Sequence, residues 1–215
     1  RYWRIRAKKV ILAQGAFERP LVFADNDRPG IMMASAGLKY LCRYGVLPGK
    51  SAVLFTNNDH AYLSAFEFAD KGAKVTIIDS RNEASDHVKN RCKELKIEIY
   101  FSHSVISTFG QKKINALEIQ KTEDEGNKLV GVVKRIDTDL VLMSGGWNPA
   151  VQLFSQSRGK LKYDKKINSF IPDMAIQDQR IVGCNNGDFD LSYNLENSFQ
   201  SGLKFAKELG KDINF

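Results

Sequence analysis

The residues of this chain best suited to chemistry on a nucleotide are Thr56, Asn58, Ala61 and Asp79. Asp79 ends an apolar run lying one helix beyond another apolar run. In a dinucleotide-binding βαβ unit, a carboxylate about 20 residues past the glycine loop accepts a hydrogen bond from a ribose hydroxyl. Thr56, Asn58 and Ala61 stand where that loop should read G-x-G-x-x-G/A, so only Ala61 meets the pattern. Asn tolerates left-handed backbone, which lets the turn survive. Its side chain crowds the space that the second glycine leaves for a pyrophosphate. The unit therefore reads as a nucleotide fold without a nucleotide, with Asp79 facing solvent or a neighbouring lysine. The other reading is a helix N-terminus that attracts anions whatever its loop sequence. Glu18-Arg19 and Asp25-Asn26-Asp27-Arg28 set carboxylates and cations in one irregular stretch. They suit acid–base work if two carboxylates face each other, and ion pairs at a surface otherwise. Trp147-Asn148-Pro149 offers an aromatic for a cofactor, a partner subunit or a buried anchor. Ser and His residues form no triad-like set, and no nucleophile is assigned.

The elements that position these residues follow from periodicity. Ser51 to Phe55 and Val75 to Ile78 are apolar runs of the kind found in buried parallel strands. Between them Ala61, Ala65, Phe68 and Ala69 recur at helical spacing, closed by Lys71-Gly72. Before this unit, Val10 to Ala13 is a strand, 16–26 is irregular, and Ile31 to Tyr44 is a helix ended by Gly45. After it come a helix over Glu83 to Leu95 and a strand over Ile97 to Phe101. Val105 to Phe109, Ile114 to Gln120 and Leu129 to Ile136 form an antiparallel meander whose polar loop is Glu123 to Asn127. Strands follow over Asp139 to Ser144, Leu161 to Tyr163, Ser169 to Ile171 and Arg180 to Gly183. A helix over Leu191 to Leu209 comes last, with Leu195, Phe199 and Leu203 on its apolar face. A chain that opens inside a strand pattern, without a methionine, reads as a segment of something longer.

Composition narrows the class. The 215 residues are 43% hydrophobic and 27% charged, as in ordinary globular proteins. The +7 net charge is dispersed, and its lysine pairs Lys8-Lys9, Lys112-Lys113 and Lys165-Lys166 are far apart. Nucleic-acid binding calls for clustered basic residues with interleaved aromatics, which are missing. Attraction to an anionic cofactor or an acidic subunit stays open. Cys42, Cys92 and Cys184 are odd in number and far apart, so neither a disulfide framework nor a zinc site is indicated, and the three histidines form no ligand pattern with them. No apolar run of about 18 residues is present. A reduced, cytoplasmic setting without membrane contact is the expectation.

Three stretches together resemble the flavoprotein reductases that carry two dinucleotide-binding domains. Val10 to Pro20 (VILAQGAFERP) is similar to the strand and turn where the chain leaves the first domain. Leu140 to Phe154 (LVLMSGGWNPAVQLF) is similar to the turn of its return, and Ile181 to Ser192 (IVGCNNGDFDLS) to a late glycine–aspartate loop beside the cofactor. More closely, FERPLVFADNDRPGIMMASA, RYGVLPGKSAVLFTNND and SGGWNPAVQLFSQSRGKL resemble the α subunits of heterotetrameric sarcosine oxidases and of amine-, opine- or proline-oxidising relatives. The resemblance implies an α/β fold: a three-layer Rossmann-like FAD/NAD(P)-binding domain with a β-meander, inserted in remnants of a second nucleotide-binding domain. The expected borders are 1–29, 30–136 and 137–215.

It also implies oxidative demethylation of sarcosine, with hydrogen peroxide formed and a one-carbon unit passed to tetrahydrofolate. NAD would sit on the α subunit, FMN near its contact with β, and FAD on β, with γ and δ completing the complex. The carried-over dinucleotide contacts are Ala13, Gly15, Gly183, Gly187 and Asp188. Gly15 and Gly187 follow apolar strands, where backbone comes close to a ligand or simply turns, and Asp188 can accept from a ribose hydroxyl. The strand with the G-x-G-x-x-G loop and the folate-binding domain have no counterpart in these residues, so the chain holds half a site and is expected to be inactive alone. The opposing expectation is a non-catalytic scaffold for docking subunits.

Overall fold

The structure, a computed structural model, describes residues 1–211. The chain divides into two compact units, Glu18–Gly146 and the segments on either side of it. In chain order the flanking unit begins with β1 (Val10–Leu12) and β2 (Ala16–Glu18). The inner unit follows with β3 (Ile31–Met33), α1 (Ala34–Tyr44), β4 (Ser51–Thr56), α2 (Tyr62–Asp70), β5 (Lys74–Asp79), α3 (Asp86–Glu94) and β6 (Glu98–Phe101). It ends with β7 (His103–Phe109), β8 (Ala116–Glu123), β9 (Lys128–Asp137) and β10 (Leu140–Ser144). The flanking unit resumes with β11 (Trp147–Pro149), α4 (Gln152–Gln156), β12 (Lys160–Asp164), β13 (Ser169–Met174), β14 (Gln179–Ile181) and α5 (Leu191–Glu208).

The inner unit is built on a parallel sheet ordered β3-β10-β4-β5-β6. Alternation along each strand assigns its two faces. Ala52, Leu54, Val75, Ile77, Leu140 and Leu142 pack under the helices with Leu41, Ala65, Phe68, Val88 and Cys92. Val53, Phe55, Ile78 and Val141 point the other way, into Val105, Leu117 and Ile119 of the meander. Both faces are covered, which is why the strands read as continuous apolar runs. Helix α1 lies close to the sheet at Gly37, where an added Cβ would run into Leu142. It ends at Gly45, whose φ of 65° supplies the left-handed cap. The meander β7-β8-β9 forms the third layer.

One expectation changes in the inner unit. Ile31–Met33 is a strand and not the first turn of α1, because β10 offers it a parallel ladder with Val141 opposite Ile31. The two compact units of the structure divide after Phe17 and after Gly146. Strand β10 is the physical reason: it pairs with β4 from Leu140↔Ala52 to Ser144↔Thr56, so it belongs to the inner sheet.

In the flanking unit, β1 and β14 form a parallel pair, β2 pairs with β11, and β12 forms an antiparallel hairpin with β13. Residues 1–9, expected to alternate as a strand, form none. Helix α5 is capped by Asp190, whose carboxylate accepts from the Tyr193 N–H at 2.7 Å.

Candidate functional site

Two places in this fold correspond to the positions where the sequence raises a dinucleotide. The first is the crevice at the carboxyl ends of β4 and β10, where the sheet runs one way through β5 and β6 and the other way through β10 and β3. Open parallel sheets bind ligands at such a point. Here it is filled from within. The buried Thr56 hydroxyl donates to the Ser144 carbonyl at 3.0 Å and accepts from the Asn58 N–H at 3.2 Å. Asn58 Nδ2 donates to the Ser144 carbonyl at 3.2 Å, while its Oδ1 accepts from the Ala61 N–H at 3.2 Å and caps the helix turn. The side chain at the second glycine position thus occupies the amide end that would otherwise receive a phosphate.

The acidic residue of the same unit is equally occupied. Asp79 is fully buried and faces neither solvent nor a lysine. Its Oδ2 accepts from the Tyr62 hydroxyl and from Arg81 Nη2, both at 2.8 Å. Its Oδ1 accepts from the Arg81 backbone N–H at 2.9 Å and Nε at 3.1 Å. Arg81 Nη2 also reaches Asp59 at 2.7 Å. Burial, and then the Asp79 charge, drive the Tyr62 hydroxyl far above the ordinary tyrosine range and keep it a donor. Burial works against the Asp59 charge, but Ser85 and Arg81 hold its carboxyl below the usual range. A ribose arriving here would meet a carboxylate whose lone pairs are already taken.

The second place lies in the flanking unit. Because β1 and β14 are parallel, the loops leaving them emerge at the same end, with Val182 N–H donating to the Leu12 carbonyl at 3.0 Å. Ala13 is exposed just past β1, and Gly15 follows in the same loop with φ 77°. Asn185 Nδ2 donates to Gln14 Oε1 at 2.7 Å and ties this loop to the turn at Gly183–Asn186. Gly183, at φ 73°, and Gly15 have no neighbouring atom within 4 Å of the place a Cβ would take, so both leave backbone open to an approaching group. Gly187 differs. At φ 85°, its missing Cβ would stand 2.8 Å from Ile171 Cγ2, so the protein's own packing demands glycine there. Asp188 is half-buried; its carboxylate accepts from Asn186 Nδ2 at 3.0 Å and its carbonyl from Asn194 Nδ2 at 2.8 Å.

The acidic stretch near the start brings no two carboxylates into a working pair. Glu18 accepts from the Ser35 N–H at 3.0 Å and from its hydroxyl, at the start of α1. Arg28 bonds Asp25 and Thr108 of the meander. Burial pushes the Cys92 thiol up to about 11, which leaves it protonated and unreactive. Among the described residues no cluster of three or more His, Cys, Asp and Glu side chains suits a metal, and no helix is long and apolar enough to cross a membrane.

No family model matches the chain. The sarcosine oxidase subunit alpha of Corynebacterium sp. (strain P-1) is 36% identical over 210 residues, 98% of this chain and 22% of its own length. That of Rhizobium meliloti (strain 1021) is 36% identical over 184 residues, 85% of this chain and 17% of its own length. The chain is similar to a segment of the sarcosine oxidase α subunit. It spans about a fifth of the length of those curated relatives. Among solved structures, Lactococcus lactis thioredoxin reductase matches at TM-score 0.69 and 21% identity, over 94% of this chain and 67% of that one. L-proline dehydrogenase from P. horikoshii matches at TM-score 0.65 and 19% identity, over 97% and 36%. These likenesses bear out the α/β, Rossmann-type fold.

Sequence reasoning named Ala13, Gly15, Gly183, Gly187 and Asp188 but did not name Gln14, Asn185 or Asn194, nor Tyr62 and Arg81 as partners of Asp79. Asn58 three residues before Ala61 is a legible capping spacing. Nothing in the sequence signals that Asn185 and Gln14, 171 residues apart, meet.

Proposed function

We propose that the chain is the dinucleotide-holding portion of an α subunit in a sarcosine-oxidising complex, and that NAD binds in the flanking unit. The observation that supports this most is the joining of the 13–15 and 183–188 loops at one end of the β1–β14 pair. Gly15 and Gly183 give backbone room for the dinucleotide, and the Asp188 carboxylate accepts from a ribose hydroxyl. Bound NAD supplies hydride-accepting chemistry; the chain's contribution is binding and orientation. The inner unit, with its crevice filled, is a scaffold.

The complex so assembled demethylates sarcosine oxidatively, yields hydrogen peroxide and passes a one-carbon unit to tetrahydrofolate. FMN sits near the β contact, FAD on β, and γ and δ complete the assembly; the chain alone is inactive. A second reading, the α subunit of a related amine, opine or proline dehydrogenase, draws support from the likeness to L-proline dehydrogenase.

In the full-length subunit, Asp188→Ala is expected to weaken NAD by about 1–3 kcal/mol, the scale of a hydrogen bond to a charged group. Titration calorimetry reads this directly. Unchanged affinity would make Asp188 a purely structural member of its loop, with its carboxylate serving Asn186.

A further inference from the structure

Among the described residues, two buried side-chain atoms lack a hydrogen-bond partner, Asn185 Oδ1 and Asn194 Oδ1. Both belong to the loop and helix around Asp188. The inner unit contains more buried polar groups and satisfies them. Thr56 donates to the Ser144 carbonyl, Ser64 to the Ala34 carbonyl, Thr108 to the Asp25 carbonyl and Thr138 to the Ser51 carbonyl, while Asp79 is saturated. A buried acceptor left without a donor is costly, and folded proteins rarely leave one unmatched.

The orientation of each amide is fixed by its other end. Asn185 Nδ2 is committed to Gln14 Oε1 at 2.7 Å, and Asn194 Nδ2 to the Asp188 carbonyl at 2.8 Å. Rotating the Asn194 amide would set oxygen against the Asp188 carbonyl oxygen, and with Asn185 Nδ2 held on Gln14 Oε1 the free atom of Asn185 is likewise an acceptor. What completes them must bring O–H or N–H donors. Phosphate and pyrophosphate oxygens are acceptors at neutral pH and are excluded from these two positions. A ribose, with its adjacent hydroxyls, has the right chemistry.

Resting on the assignment of the dinucleotide to the flanking unit, we propose that Asn185 and Asn194 read a ribose of the dinucleotide through hydroxyl donors, with the pyrophosphate lying elsewhere in the site. Both oxygens are covered, so a neighbour moves when the sugar enters. On this proposal Gln14 gives way: it is exposed, on the loop where Gly15 leaves the backbone open, and bonded directly to Asn185.

The test uses the full-length subunit, calorimetric titration with NAD, ADP-ribose and inorganic pyrophosphate, and the variants Asn185→Leu and Asn194→Leu. Each variant is expected to lower NAD and ADP-ribose affinity about 10- to 100-fold. The melting temperature of the ligand-free protein should stay within about 3 °C, since an apolar group of similar size also removes an unmatched acceptor. With the unaltered protein, ADP-ribose should displace NAD, and in the variants the affinity for pyrophosphate should be unchanged. NAD binding that survives both substitutions overturns this assignment and leaves the flanking-unit site standing. Failure of ADP-ribose to displace NAD from the unaltered protein would overturn it even if neither variant folds. Failure of NAD to bind the unaltered subunit would remove the parent reading itself.

Discussion

Replacing Asp79 by Ala is expected to cost about 3 kcal/mol of stability while leaving dinucleotide affinity unchanged. The carboxylate is fully buried and accepts from Tyr62, from the Arg81 backbone and twice from the Arg81 guanidinium. Breaking a buried pair by removing one partner costs about 3–5 kcal/mol, because the other is left uncompensated. The lower end applies because the Arg81 side chain is 33% exposed and keeps Asp59 at 2.7 Å. Most of the loss comes from the Tyr62 hydroxyl, which has 0% exposure and no water to turn to. Urea unfolding measures the change. A loss below about 1 kcal/mol would show that the cluster contributes little to folding. A fall in NAD affinity without a fall in stability would show that Asp79 holds the ribose after all, as in an ordinary nucleotide-binding unit.

Phe68→Ala should be at least as damaging, at about 3–5 kcal/mol for a large aromatic removed from a close-packed core. Phe68 has no exposed surface and lies between α2 and the sheet among Leu54, Ala65, Ile77 and Leu142. Its ring tip would stand 3.5 Å from a Cβ added at Gly37, which places it where α1 comes closest to the sheet. A cavity there cannot close by moving α1 inward, because Gly37 is already set against Leu142. Phe68→Leu, which retains most of the volume, should lose far less. Equal effects of the two substitutions in urea unfolding would mean that the site relaxes freely and that the packing described for α1 is wrong.

The inner unit was readable from sequence because its strands are buried on both faces. Val53, Leu54, Phe55, Ile77 and Ile78 form apolar runs that a parallel sheet covered by helices and a meander requires. Ile31–Met33 escaped because a three-residue edge strand leaves no periodicity of its own and continues directly into α1. The substituted glycine positions were also legible, since Thr56 and Asn58 break a pattern with a known geometric purpose. The fate of Asp79 was not. Its partner Arg81 lies two residues away and signals nothing by spacing, and Tyr62 reaches it only once α2 is docked on the sheet. In the flanking unit the glycine–aspartate loop stood out, but its connection to Gln14 depends on a parallel pairing between strands at opposite ends of the sequence. The different duties of Gly15 and Gly187 likewise depend on neighbours, open space in one case and Ile171 in the other.

The location of the dinucleotide is tested most directly by amide hydrogen exchange of the full-length subunit, with and without saturating NAD. Binding slows exchange where a ligand covers or braces backbone amides. The account predicts protection over residues 12–15 and 182–190, and no change over 56–62 or 79–81. Protection confined to 56–62 and 79–81 would contradict it: the nucleotide would then sit in the inner crevice, displacing the Asn58 cap and the Arg81 pair that fill it here.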